Sequence, residues 1–241
     1  PPKEGDADIG IIGLKEYSLY TTRYDLKKVV EKQYTYQGGM DSLVMETNYE
    51  YGDSPWYRDS LYHYQPTKIS KIVNTGTKLT RLYYPYDWRY GIPDTLSGET
   101  NNFKTLDTSN RIAAPVLQVI SDSATGFNIL SVKNTYSPLV NSNLAPNLVI
   151  TKQGSSTSFE NRVSFNKYDT TGNLIEQQKT NDIKSVYIWD YHNSYPVAEV
   201  INADSASVAY TSFEAENKGG WSFSGTTLDT VSLTGRKAYK L

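Results

Sequence analysis

Apolar and polar positions alternate over short stretches throughout this chain, and helical spacing is weak everywhere. The strongest helical candidate, Tyr24–Gln33, carries Val29-Val30 and runs straight into Tyr34-Thr35-Tyr36, so it reads as a strand. In Thr67–Val73 the apolar positions Ile69 and Ile72-Val73 precede the turn signal Asn74-Thr75-Gly76, and Leu79-Thr80-Arg81-Leu82-Tyr83 follows it. That is a hairpin. Tyr34-Thr35-Tyr36 and Thr47–Tyr51 flank Gly38-Gly39 in the same way, and Phe165–Gln177 holds two short strands around Tyr168-Asp169-Thr170-Thr171-Gly172-Asn173. Ser185–Tyr191 is a further aromatic strand, entering the turn His192-Asn193-Ser194.

Four segments share a plan: a Pro, a brief alternation, a turn, and a second run ending near an aromatic. They start at Pro66, Pro115, Pro146 and Pro196, with turns at Gly76, Gly126, Gly154 and Ala203-Asp204. The second runs end at Tyr83-Tyr84, at Tyr136, at Phe165 or Tyr168, and at Tyr210 or Phe213. Pro is tolerated at the first residue of a strand, where its missing N–H breaks no ladder. The steps between the prolines are 49, 31 and 50 residues, a degenerate repeat of hairpins with insertions.

Two stretches, Gly52–Tyr64 and Tyr86–Asn110, are rich in Pro, Gly, Asp and Ser and are expected as long loops on one side of the sheet. Beyond residue 208 the pattern shifts. Phe213–Gly225 reads as strand, polar turn and aromatic strand, and Asp229–Leu233 and Gly235–Leu241 as short strands. The expected organisation is a linker or incomplete strand over 1–23, a sheet region over 24–208, and the truncated start of a β-sandwich over 209–241, with the boundary at Ala206–Thr211. The fold class is all-β: antiparallel hairpins in one continuous twisted sheet.

Composition sharpens this. Tyr occurs 21 times against 6 Phe and 4 Trp, which suits strands with half-wet faces. Cys is absent, which removes disulfides, thiolate zinc sites and cysteine nucleophiles. Charges are 24 basic against 26 acidic, so there is no basic field for nucleic acid. The longest apolar runs, such as Ile9–Leu14, fall short of the ~20 residues of a membrane helix. The opening Pro1-Pro2-Lys3-Glu4 reads as that of a fragment or processed product.

No catalytic constellation emerges. Asp6-Ala7-Asp8-Ile9-Gly10 lacks the later ligands of a calcium loop. Glu214 and Glu216 are two apart, on one side of a strand, with nothing to select them as a glycosidase pair. There is no Gly-x-Ser-x-Gly elbow, and Asn74–Lys78 holds a lone Gly rather than a phosphate loop. His63 and His192 both sit in aromatic, turn-like surroundings. The expectation is no enzyme, no cofactor and no metal. Exposed aromatics are the one binding signal: Trp56, Tyr57, Tyr62, Tyr86, Trp88 and Tyr90, with Tyr84 beside them, fall in or next to the two irregular stretches. Such rings either stack on sugars or pair across strands. Trp221 reads as core.

Tyr168-Asp169-Thr170-Thr171-Gly172-Asn173-Leu174-Ile175 resembles the YD repeat of Rhs-type proteins, with Tyr168, Asp169, Gly172 and Asn173 as its motif positions. Tyr187–Tyr191 followed by Tyr195–Val200, Asn161-Arg162-Val163 ahead of the YD unit, and His63–Ile69 with Tyr84–Asp87 are similar to segments of Bacteroidetes-type members. Phe213–Gly225 resembles the point where such chains enter a jelly-roll-like module. The units at Tyr24-Asp25 and Tyr86-Asp87 lack the following Gly-Asn, and the Asp-Pro-x-Gly motif that ends an Rhs core is absent. The resemblance implies a β-sheet spiral able to form a shell around a toxic domain, within a large exported polypeptide that uses the type IX route. The expected function is a scaffold segment, secreted or at the cell surface, that encloses or presents another domain. Its partners would be other segments of the parent polypeptide, a surface glycan or secretion machinery. The alternative is a carbohydrate-binding or adhesion module using the exposed aromatics.

Overall fold

The computed structural model describes residues 24–34, 42–52, 65–73, 76–89, 93–139, 143–224, 227–228, 232 and 235–239. Eleven strands form one open antiparallel sheet in which neighbours in sequence are neighbours in space. They are β1 (Lys28–Tyr34), β2 (Ser42–Glu50), β3 (Lys68–Val73), β4 (Gly76–Tyr83), β5 (Leu117–Asp122), β6 (Asn128–Pro138), β7 (Leu144–Gln153), β8 (Glu160–Tyr168), β9 (Leu174–Lys179), β10 (Lys184–Asp190) and β11 (Tyr195–Ile201). A separate pair, β12 (Thr227–Leu228) and β13 (Ala238–Tyr239), makes a second small sheet. Strands account for 49% of the chain and helix for 11%, so the all-β expectation holds.

The prolines act differently from the sequence expectation. Pro66 and Pro115 stand two residues ahead of β3 and β5. Pro146 and Pro196 instead lie inside β7 and β11, each at a register shift: Thr135 pairs with Leu148 but Tyr136 with Pro146, and Ile188 with Ala198 but Trp189 with Pro196. One residue is left over in each case, Asn147 and Val197. A bulge locally interrupts the ladder, which is where a residue without an N–H fits.

Two expected elements differ. The partner strand for Pro196–Asn202 does not form among the described residues, so β11 is a sheet edge and 202–224 holds only turns and a 3₁₀ turn at Ser205–Ser207. Phe213 is far from extended, at φ +61°. The expected loop Tyr86–Asn110 is largely helical: 3₁₀ turns at Pro85–Arg89 and Asp94–Glu99, then α1 (Thr100–Thr108).

That insertion between β4 and β5 makes the core. Its Leu96, Phe103 and Leu106 pack with Val116, Leu117, Tyr136 and Leu144, and Tyr83, Trp88 and Val119 lie against them. Burying Phe103 and Leu106 contributes about 1.5–3 kcal/mol each, enough to hold a nine-residue helix that is marginal alone. The Asn102 amide donates to the Tyr136 carbonyl at 3.1 Å, and Lys133 pairs with Glu99 at 4.0 Å, which fixes α1 over β6. Farther out, β1 and β11 have no buried residue.

Candidate functional site

Sequential order sorts the connections between strands. Glu50 pairs with Lys68, Lys68 with Arg81, Tyr83 with Leu117, Pro138 with Leu144, Tyr168 with Leu174 and Asp190 with Tyr195. The described residues of the connections between β2 and β3, β4 and β5, β6 and β7, β8 and β9, and β10 and β11 therefore leave and enter the sheet at one end. The described residues singled out in sequence, Tyr86, Trp88, Tyr168, Asp169, Gly172 and Asn173, all belong to this end. Trp56, Tyr57, Tyr62, Tyr90 and His63 lie outside the described residues.

Tyr86 and Trp88 are not an open platform. Tyr86 is 4% exposed, and Trp88 lies against the core. The buried Asp107 carboxylate accepts the Trp88 indole N–H at 3.0 Å and the Arg89 Nε and Nη2 at 2.8 and 2.7 Å. The Arg89 guanidinium sits 4.8 Å from the Tyr86 ring centre and 5.3 Å from that of Trp88, with the Lys104 ammonium 4.9 Å from Trp88. Cations of the chain itself already occupy the positions that a ligand would seek. Trp221, expected in a core, is 55% exposed.

Beside them, the Tyr84 hydroxyl donates to the Pro66 carbonyl at 2.8 Å, and burial pushes its phenol up to about 12. The Asp87 carboxylate accepts the Tyr84 backbone N–H at 2.8 Å, and burial pushes this carboxyl up to about 6.

The YD unit closes the β8–β9 hairpin. Asp169 Oδ1 accepts the Thr171 backbone N–H at 2.8 Å, its hydroxyl at 2.7 Å and the Asn173 N–H at 2.8 Å, while Oδ2 accepts the Asn173 amide at 3.1 Å. Burial alone would raise the Asp169 carboxyl; these bonds outweigh it and hold it below its ordinary value. Gly172 takes φ +95°, which a side chain would strain. Tyr168 donates its hydroxyl to the Pro146 carbonyl at 2.6 Å.

Two features escaped the sequence. The first is a clasp on the proline carbonyl, made by Tyr84 to Pro66, by the Asn134 amide to Pro115 at 2.9 Å, and by Tyr168 to Pro146. For Tyr84 and Tyr168 the aromatic ending of the second run was a visible trace; for Asn134 there was none. The second is an asparagine junction. Asn173 Nδ2 donates to the Asn193 carbonyl at 2.6 Å, and Asn217 Nδ2 donates to Asn193 Oδ1 at 2.7 Å and to the Trp189 carbonyl at 3.1 Å. It braces a turn in which Tyr191, His192 and Asn193 have φ +52°, +57° and +58°. Glu214 and Glu216 are engaged apart: Glu214 accepts the Arg236 N–H at 2.8 Å, and Glu216 lies 3.7 Å from His192.

A cleft of about 700 Å³ opens at this end between Arg111, Leu139, Asn143–Pro146 and the YD turn. Among the described residues, no three His, Asp or Glu gather to hold a metal, and no helix is long and apolar enough to cross a membrane. No family model matches the chain, and neither does any curated protein.

Proposed function

We propose that this chain is a scaffold segment of a larger secreted or cell-surface polypeptide of the Rhs/YD-repeat kind, a stiff β wall that encloses or presents another domain, and that it is not an enzyme. The observation that carries this proposal is where the motif side chains go. Tyr168, Asp169, Gly172 and Asn173 are all consumed in closing one hairpin and tying it to the next turn. The strictly sequential sheet supports it too, because each strand relies on its neighbours as in repeat architectures. Export rests on the family resemblance.

The test is protection. In the parent polypeptide, the protease half-life of the adjoining domain is measured with and without residues 24–201. Equal half-lives overturn enclosure. The adhesion alternative depends on Trp56, Tyr57, Tyr62 and Tyr90. A glycan array with the chain and its Trp56→Ala variant decides it: binding lost in the folded variant favours adhesion, and no binding by the chain, with a lowered melting temperature for Trp88→Ala, favours the scaffold.

A further inference from the structure

The cleft at the connection end has an unusual division of hydrogen-bonding capacity. Arg111 is its one charged side chain among the described residues. The guanidinium is anchored by donating from Nη1 to the Leu144 carbonyl, and the Arg111 backbone N–H donates to Leu106 at 2.8 Å. One of its five N–H groups is thereby used, and no carboxylate of the described residues pairs with it. The hydroxyls around it have the opposite need. Ser109 spends its hydrogen on the Thr105 carbonyl at 2.6 Å, Thr171 on Asp169 at 2.7 Å, and Tyr168 on Pro146 at 2.6 Å. Ser109 and Tyr168 keep oxygen lone pairs that accept, and Thr171, whose oxygen already accepts the Asn173 amide at 3.1 Å, keeps one. The wall between them is aliphatic, formed by Leu139, Leu144 and Pro146.

We infer that this cleft binds a small polyhydroxy carboxylate, a sugar acid. The ligand must bring an anion for a planar, partly pre-anchored guanidinium fork. It must also bring several O–H donors for oxygens that have no hydrogen left to give, and a C–H face for the aliphatic wall. A simple carboxylate meets only the first need and a neutral sugar only the last two. The site is separate from the Tyr86–Trp88 cluster, and the inference stands or falls independently of the scaffold proposal.

Titration of the full chain with glucuronate, followed by calorimetry and by the Arg111 Nε–H resonance, tests it. Acetate, glucose and inorganic phosphate are the comparators. Saturable binding of glucuronate is expected, with acetate and glucose each roughly tenfold weaker or more. Arg111→Gln is expected to lower affinity by a similar factor. Because that change also removes the anchor to Leu144, Leu139→Trp, which fills the cleft and leaves Arg111 in place, is the second variant and should abolish binding with the melting temperature kept. Phosphate or acetate binding as tightly as glucuronate would mean that the cleft reads charge alone, and overturns the inference. Affinity unchanged in either folded variant overturns it too.

Discussion

Two tyrosine hydroxyls at the connection end, those of Tyr84 and Tyr168, each hold a proline carbonyl, and their removal has calculable consequences. Tyr168→Phe and Tyr84→Phe each delete one hydroxyl donor to a proline carbonyl. Each should lower stability by about 1 kcal/mol, read as a shift in the denaturation midpoint. Two carboxylates respond to pH in opposite senses. Burial raises Asp87 from 3.8 to about 6, so its contribution is full below 3.8 and is lost as pH rises through about 6. Asp87→Asn should remove that loss, leaving the variant flatter between those values in pH-dependent thermal melts. Glu176 behaves conversely. The Ser205 backbone N–H, helped by Lys184 and Asn166, pulls it from 4.5 to about 2, so its contribution is present above 4.5 and is lost as pH falls through about 2. Glu176→Gln should abolish that acid sensitivity.

At the scale of elements, the unequal partners are the sheet and its insertion. Phe103, fully buried, is the centre of the packing between α1 and the sheet. Phe103→Ala should cost about 3–5 kcal/mol, a large part of any ordinary domain's stability. An unchanged melting temperature would show that the insertion does not anchor the core. The insertion hid in sequence because α1, Thr-Asn-Asn-Phe-Lys-Thr-Leu-Asp-Thr, offers only Phe103 and Leu106 as apolar positions. Its propensities are poor, and tertiary burial overrides them. The hairpins were legible for the opposite reason: β3–β4 and β8–β9 carry their turn signals, and register follows from the alternating faces.

Across the whole molecule, stability should fall from the middle of the sheet to its edges. Leu117, Ser131, Tyr136, Leu144 and Ala145 are buried in β5–β7, while β1 and β11 bury nothing. Amide hydrogen exchange should be slowest in β5–β7 and fastest in β1 and β11; uniform protection would contradict a core centred where the insertion packs on β5–β7. The sequence by itself determined the all-β class and most hairpins, because period-two alternation and turn residues act locally. It also singled out the Tyr168–Asn173 unit, whose bonds lie mostly within its own few residues. Only the tertiary structure decided that Tyr86 and Trp88 face inward, that Pro146 and Pro196 sit at bulges, and that β11 ends the sheet. Each of these depends on partners far away in the chain, such as Asp107 for Trp88 and Asn217 for Trp189, and no local pattern encodes which distant side chain will arrive.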